Sequence, residues 1–391
     1  MEFDSMPDIV QPSPPHRGHV FNDDLLMNAN DLAFARSQFP GIIHLLDHPR
    51  LREKFAEYNR DADRARDWVR RLGFGAVVSA TLALLAVATE PLWPHTLWRQ
   101  WLALVMELGG LFAALVAGGG LLLGPWKRQW LESRLMAERL RQWHFQLLVR
   151  HGKEVEASCA GPDAIAQFEK ERGLWLDKFL QVYEGKLEAQ LESFTDEPGV
   201  AGDWLHDQPT PYSHKSTVLA QVFDAFEQLR FDHQYNYAVY KLRKSSAKPF
   251  WQFLKWPAMK QMAVLSDASS FCFTCALICS AILIYGYAVD VLAGNPAIAI
   301  PPNVQLCVRT GAIAVAIIGA ALRTIQEGLS PDKEIERYKH YRGRTFQLRE
   351  RFKQTTDAKD RLHLMEELEL ASVDEMRGFL RTHYNARFIL A

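Results

Sequence analysis

Residues 268–289 read ASSFCFTCALICSAILIYGYAV, an apolar run without a formal charge between Asp267 and Asp290. An uncharged apolar segment of more than about 18 residues is long enough to cross roughly 30 Å of hydrocarbon as a helix. This run therefore predicts a transmembrane helix, and the rest of the chain can be placed relative to it.

Three further runs have the same character. Residues 72–89 carry no charge, residues 101–124 carry only Glu107, and residues 297–322 carry only Arg309. The sequence therefore predicts an all-α integral membrane protein with four transmembrane helices arranged as two hairpins. The mean hydropathy of the whole chain is only -0.15 because the segments outside these runs are rich in charge.

The remaining segments follow from the ends of the spans. The predicted organisation is a disordered N-terminus (1–21), cytoplasmic helices leading into the membrane (22–71), a first hairpin (72–124), a cytoplasmic helical region with a stalk and an interfacial segment (125–265), a second hairpin (266–322) and cytoplasmic C-terminal helices (323–391).

Lysine and arginine set the predicted orientation. The basic flanks 60–71, 127–134, 255–260 and 323–344 all fall on one side of the spans, and the two loops on the other side contain only Arg99. Basic residues accumulate on the cytoplasmic side, so both termini are expected there. The net charge of -1 implies no general attraction to nucleic acid, which we do not expect as a partner.

The chain shows an internal repeat with an offset of about 198 residues. The hexapeptide Glu138-Arg139-Leu140-Arg141-Gln142-Trp143 matches Glu336-Arg337-Tyr338-Lys339-His340-Tyr341 in chemical type. The same offset places the first run on the third and the second run on the fourth. This agreement predicts two parallel copies of a hairpin followed by a helical stalk.

The stalk motif also carries a family resemblance. A two-span hairpin followed by Ala137-Glu138-Arg139-Leu140-Arg141-Gln142-Trp143 resembles the SLATT family, over residues 50–150 and again over 220–355. The resemblance implies a pore-forming effector of the bacterial inner membrane that acts in nucleotide-sensing conflict systems. It also implies a homo-oligomer triggered by a cytoplasmic sensor protein or a nucleotide signal. This chain departs from the family in carrying the unit twice, and it contains no glycine-rich nucleotide fingerprint of its own.

Glu107 and Arg309 are the only formal charges inside the four runs. Charges within a membrane are costly and usually face a bundle interior or water. Three interpretations are open. Glu107 lies at the outer interface and Arg309 extends its side chain along the span to the same surface; the two form a structural ion pair within one chain or between neighbours; or they line or gate a pore.

Small residues recur at every fourth position in two of the runs. They are Gly110, Ala114 and Gly118 in the second run, and Ala312, Ala316 and Ala320 in the fourth. Such stripes allow helices to approach closely in lipid, so helix packing is the main interpretation, and a glycine-rich pore wall is the alternative. Cys272, Cys275 and Cys279 share one face of the third run and are interpreted as small packing residues.

No catalytic or cofactor-binding pattern is present in the sequence, so we expect neither an enzyme nor a resident cofactor or metal. Two functions remain. The first is an oligomeric pore or ion channel that disrupts the membrane when its cytoplasmic helices are triggered. The second is a non-conducting anchor or scaffold that docks a cytoplasmic partner. A transporter ranks third because the runs lack the broken helices of a substrate site.

Overall fold

The computed structural model describes residues 22–92, 97–118, 123–184, 203–206, 209–213, 217–243, 250–293 and 301–386. Within these ranges the protein is all-helical, with 89% helix and no strands. The predicted disordered N-terminus and the outer loop residues 93–96 and 294–300 lie outside the described part.

The α-helices, in chain order, are α1 Ala29–Gln38, α2 Ile43–Leu46, α3 Pro49–Thr89, α4 Leu97–Ala113, α5 Leu123–Arg150, α6 Gly152–Ser158, α7 Pro162–Tyr183, α8 Thr217–Phe226, α9 Asp232–Lys241, α10 Ala258–Ala293, α11 Pro302–Leu329, α12 Pro331–Gln354 and α13 Ala358–Asn385. Short 3₁₀ turns occur at Asp23–Leu25, Glu90–Leu92 and Phe250–Lys255. A π turn, Glu227–Phe231, joins α8 to α9, and another, Ala114–Gly118, follows α4.

Three helical stretches are long and apolar enough to cross a membrane, namely Ile43–Leu92, Ala258–Val289 and Pro302–Gln354. They contain the first and third predicted spans and residues 302–322 of the fourth. The second predicted span is described as the apolar helix Ala103–Val116, and residues 119–122 of that span lie outside the described part.

The chain divides into two compact units. The first gathers the described residues within Met1–Ala62, Leu131–Leu242 and Glu336–Arg381. The second gathers those within Asp63–Trp130, Arg243–Ile335 and Thr382–Ala391, and it includes all the predicted spans. Helices α3, α5, α12 and α13 each contribute residues to both units.

The first unit has an aromatic core. Phe145 of α5 packs edge-on against Phe226 at 5.8 Å, Phe226 lies 5.6 Å from Phe231, and Phe231 lies 4.9 Å from Phe352 of α12. All four rings are fully buried, which joins α5, the α8–α9 segment and α12. The start of α3 joins this core through Leu51, which is buried at the helical spacing that the sequence predicts.

The second unit has a small aliphatic core. Val77 of α3 clusters with Leu265 of α10 and with Ala321 and Ile325 of α11. The helix that follows α11 begins at Pro331, after Ser330 adopts a left-handed conformation with φ 46°. The helix therefore breaks at Ser330-Pro331. Proline suits the first turn of the new helix because its missing N–H needs no partner there.

Candidate functional site

The two charges within the predicted spans are exposed on the surface of the chain. Glu107 lies on α4 and Arg309 on α11, and both residues are exposed. Within the described residues neither side chain forms a hydrogen bond or an ion pair. The structure therefore does not bring Glu107 and Arg309 together in one chain.

The surroundings of these charges are apolar. On α4, Leu104 and Leu108 are 42% and 58% exposed, and on α11, Leu306 and Ile313 are 38% and 44% exposed. Such faces suit lipid or another apolar helix. The charged carboxylate of Glu107 and guanidinium of Arg309 are poorly compatible with such an apolar environment.

Close helix contacts in the second unit occur one position away from the predicted stripes. A Cβ added to Gly109 would lie 3.0 Å from the backbone oxygen of Ser79, so α3 and α4 approach closely there. In the second hairpin a close contact occurs at Gly319, where an added Cβ would lie 3.3 Å from Cys272 Cβ. Gly110, by contrast, has open space where its side chain would be.

The other members of the stripes differ in exposure. Ala114 is exposed, whereas Ala312 is buried and both Ala316 and Ala320 are half-buried. Gly118 lies in the π turn, and its burial is not described. Among the described residues, none packs closely on α4 at Gly110, Ala114 is exposed, and the stripe of α11 is partly used within the chain.

Aromatic and basic groups mark the end of the first hairpin. Trp68, four residues before the first uncharged run, stacks on Trp126 with ring centroids 5.9 Å apart. Arg70 donates to the carbonyl oxygen of Leu254 at 2.9 Å, which ties α3 to the Phe250–Lys255 turn. Trp256 follows that turn, and the Lys260 ammonium lies 4.0 Å from its ring centroid. This arrangement is typical of side chains at the membrane–water boundary.

The end of α13 contacts α5 and the start of α12. Lys127 of α5 donates to the carbonyl oxygens of Tyr384 and Ala386 at 2.7 and 2.8 Å. The ring of His383 lies 4.7 Å from that of Trp130, and its Nε2 lies 3.1 Å from Glu334 Oε1. The last carbonyls of a helix lack partners within the helix, so the Lys127 ammonium supplies the missing donor.

The first copy of the stalk motif is a buried polar network and not a solvated helix face. Glu138 pairs with Arg134 at 2.6 Å and with Arg141 at 2.8 Å, and Arg141 reaches Asp24 at 2.9 Å. Burial opposes ionisation of Glu138, but the charges of Arg134 and Arg141 outweigh it and lower the pKa of the carboxyl group to about 2. Arg139 is 3% exposed and lies over the ring of Tyr183.

The second copy shares only part of this arrangement. Arg337 pairs with Glu375, and the Tyr341 hydroxyl donates to Gln234 Oε1 at 3.0 Å. Glu336, in contrast, is exposed, although its counterpart Glu138 lies within the network. The aligned positions Trp143 and Tyr341 are both buried, at 1% and 4% exposure.

A cluster of histidines surrounds Trp143. The rings of His48 and His206 lie 5.8 and 5.2 Å from the Trp143 ring, and His206 Nδ1 lies 3.1 Å from His151 Nε2. Burial lowers the pKa of His48 to about 2, with a contribution from the charge of Arg172. Burial likewise lowers the pKa of His206 to about 3. These histidines are neutral at physiological pH.

Arg172 explains much of the positive potential in this cluster. Its guanidinium donates to three backbone carbonyl oxygens, those of His44, Leu45 and Asp47, at 2.8 to 3.1 Å. The guanidinium therefore fixes the turn between α2 and α3. Its charge adds to burial in lowering the pKa of His44 to about 4 and that of His144 to about 3.

The sequence does not reveal these buried groups. His48 and His206 are 158 positions apart, and no spacing rule joins them. Among the described residues, no group of three or more His, Cys, Asp or Glu side chains has an arrangement that could hold a metal ion. The chain matches no protein-family model, no curated protein and no solved structure.

Proposed function

We propose that the protein is an oligomeric pore or ion channel that permeabilises the membrane when its cytoplasmic helices are triggered. The observation that supports this most is the exposure of Glu107 and Arg309 on apolar span faces without a partner among the described residues. A lone charge facing lipid is expensive, so each needs a polar neighbour from another copy or the water of a pore.

The proposal includes four spans in two parallel hairpins and places both termini in the cytoplasm, at a bacterial inner membrane. The basic flanks and the boundary tryptophans support this orientation. The resemblance of residues 137–143 to the SLATT motif supports a role as an effector in a conflict system, with a sensor protein or a nucleotide as the trigger.

In this proposal, helices shared by the two units transmit the trigger. Helices α3 and α5 are each continuous and contain residues of both units. A change in the buried network of Glu138 would therefore act on the same helix that carries Trp126 and Lys127.

The second candidate function is a membrane scaffold. A shallow depression of about 480 Å³ on the first unit, lined by Arg344, Phe346, Arg351 and Glu367 among others, offers a surface where a partner could dock. In that case the spans would anchor the protein and Glu107 would be dispensable.

The experiment is release of an entrapped fluorescent dye from liposomes that contain the purified protein. It is performed with protein alone, with cyclic mononucleotides and with cyclic dinucleotides, and the oligomer is confirmed by size. Release under one of these conditions is expected of a pore. Intact liposomes under all conditions, with a folded oligomer present, would favour the scaffold.

A further inference from the structure

We propose that Glu107 pairs with Arg309 of the partner subunit, so that each subunit contact inside the membrane contains one complementary pair of charges. This inference rests on the proposed oligomer and identifies what holds its spans together. The occupant of the exposed face of α4 is therefore a second copy of this chain.

The first argument is complementarity. The chain presents one carboxylate and one guanidinium on its described span surfaces, and neither has an intrachain partner among the described residues. Ionisable groups in spans almost always pair with one another, with backbone carbonyls or with water. A neighbouring copy supplies the opposite charge for both groups at once.

The second argument is depth. The repeat offset of 198 residues aligns Glu107 of α4 with Gln305 of α11, four residues before Arg309. With a rise of 1.5 Å per residue the two charges differ in depth by about 6 Å, little more than one turn, which a long arginine side chain can span. Both helices are the second member of their hairpin, so they cross the membrane in the same direction.

The third argument is the surface next to each charge. Small residues follow Glu107 at positions 110, 114 and 118, and they follow Arg309 at positions 312, 316 and 320. The spacing of three, seven and eleven residues is identical, and it keeps each charge on the same helix face as its small residues. Gly110 has open space and Ala114 is exposed, so another helix can approach Glu107 closely. On α11, Ala312 is buried within the chain and Arg309 itself is exposed.

The pairing also defines the type of interface. Each contact uses α4 of one copy and α11 of the next, which is a head-to-tail arrangement. Head-to-tail contacts form closed rings when the rotation between copies closes. A ring of spans is the geometry that a central pore requires.

The test uses two charge-reversal variants, Glu107→Arg and Arg309→Glu, that carry different affinity tags. Expressed alone, each variant places like charges at the contact, and we expect co-purification of its own tagged copies to fall by about tenfold or more. Expressed together, the variants can form contacts of opposite charge, and recovery to within about twofold of the wild-type value is expected. The neutral variants Glu107→Gln and Arg309→Gln, which add no repulsion, are each expected to weaken assembly less than the charge reversals do.

The double variant Glu107→Arg/Arg309→Glu, with both substitutions in one chain, separates the alternatives. If co-purification recovers in the double variant but not in the mixture, the pair forms within one chain and the inference is overturned. Recovery in neither would show that the two charges act independently, which also overturns it. If wild-type copies co-purify and mixing restores assembly, but liposomes stay intact, the pairing stands and the pore function fails. The thermal unfolding of each purified variant confirms that it folds.

Discussion

Arg230 and Glu369 form a two-point ion pair in which the side chains are 1% and 0% exposed. Arg230 Nε lies 2.7 Å from Oε1 and Nη2 lies 2.9 Å from Oε2 of the carboxylate, and the guanidinium also lies over the ring of Phe145. Burial disfavours the charged guanidinium, but the negative charge of Glu369 outweighs burial and raises the pKa of Arg230. The pair connects the π turn between α8 and α9 to α13.

The first prediction concerns this pair. Because removing one partner leaves the other charge buried and uncompensated, Arg230→Met or Glu369→Leu alone should lower the free energy of unfolding by about 3–5 kcal/mol. The double variant Arg230→Met/Glu369→Leu places two apolar side chains together and should recover most of the lost free energy of unfolding. Chemical denaturation of the purified single and double variants measures these values. If the losses of the two single variants simply add in the double variant, the two side chains are not coupled.

A pH dependence follows from four buried histidines of the first unit. The pKa values of His44, His48, His144 and His206 in the folded chain lie below the ordinary value of 6.5. The unfolded chain therefore binds more protons than the folded one in acid. The stability that these groups contribute is fully present above about pH 6.5 and is lost as the pH falls from there toward 4, by up to about 1.4 kcal/mol per pH unit for each histidine.

His48→Leu should flatten this profile. Its Nε2 atom is buried without a hydrogen-bond partner, so a similarly sized apolar residue removes one proton-binding site at little cost near pH 7.5. His340→Leu is the matched control because that side chain is exposed. Thermal unfolding between pH 7.5 and 4.5 measures the difference. Equal profiles for the wild type and His48→Leu would contradict the assignment.

Neighbouring glycines of α4 should respond differently to the same substitution. Gly109→Val forces a side chain against the backbone oxygen of Ser79 and should disrupt the first hairpin, lowering the yield of folded protein. Gly110→Val meets open space within the chain, so the subunit should fold, but subunit association should weaken because a larger side chain separates the helices. Size-exclusion chromatography in mild detergent distinguishes the two outcomes. A folded Gly109→Val variant with a normal oligomer would contradict the packing described above.

The contact of Lys127 with the end of α13 predicts a local effect. Lys127→Ala removes the donor to the carbonyl oxygens of Tyr384 and Ala386 and should cost about 1–2 kcal/mol locally. Faster hydrogen exchange in peptides that cover residues 378–386 would report this loss. Lys333→Ala, at an exposed position, is the control. Unchanged exchange in the Lys127 variant would show that the helix end is held by other contacts.

The sequence predicts the helices of this protein better than their contacts. Leu51 and Phe55 lie four positions apart and are both buried, and residues 126–150 contain no glycine or proline; these local patterns fit the helix that leads into the first span and the continuous helix α5. Local pattern suffices there because helical hydrogen bonds join residues four apart. The Arg230–Glu369 pair joins residues 139 positions apart, and a single sequence carries no signal for such a contact.

The stalk motif illustrates the same limit. Charged residues are rarely fully buried, and the sequence of the motif alone does not show that these are. In the structure Glu138 and Arg141 are enclosed because Asp24, more than a hundred positions away, completes their network. The close helix contacts at Gly109 and Gly319 are also displaced by one position from the small-residue stripes, because spacing defines a face but not its partner.

The most direct test of the pore is the current across a planar lipid bilayer that contains the purified protein. Wild-type oligomers should produce discrete conductance steps once triggered, Glu107→Arg alone should produce none, and its co-assembly with Arg309→Glu should restore them. A well-folded wild-type oligomer that never conducts, with or without the nucleotides tested in liposomes, would contradict the pore and leave a membrane scaffold.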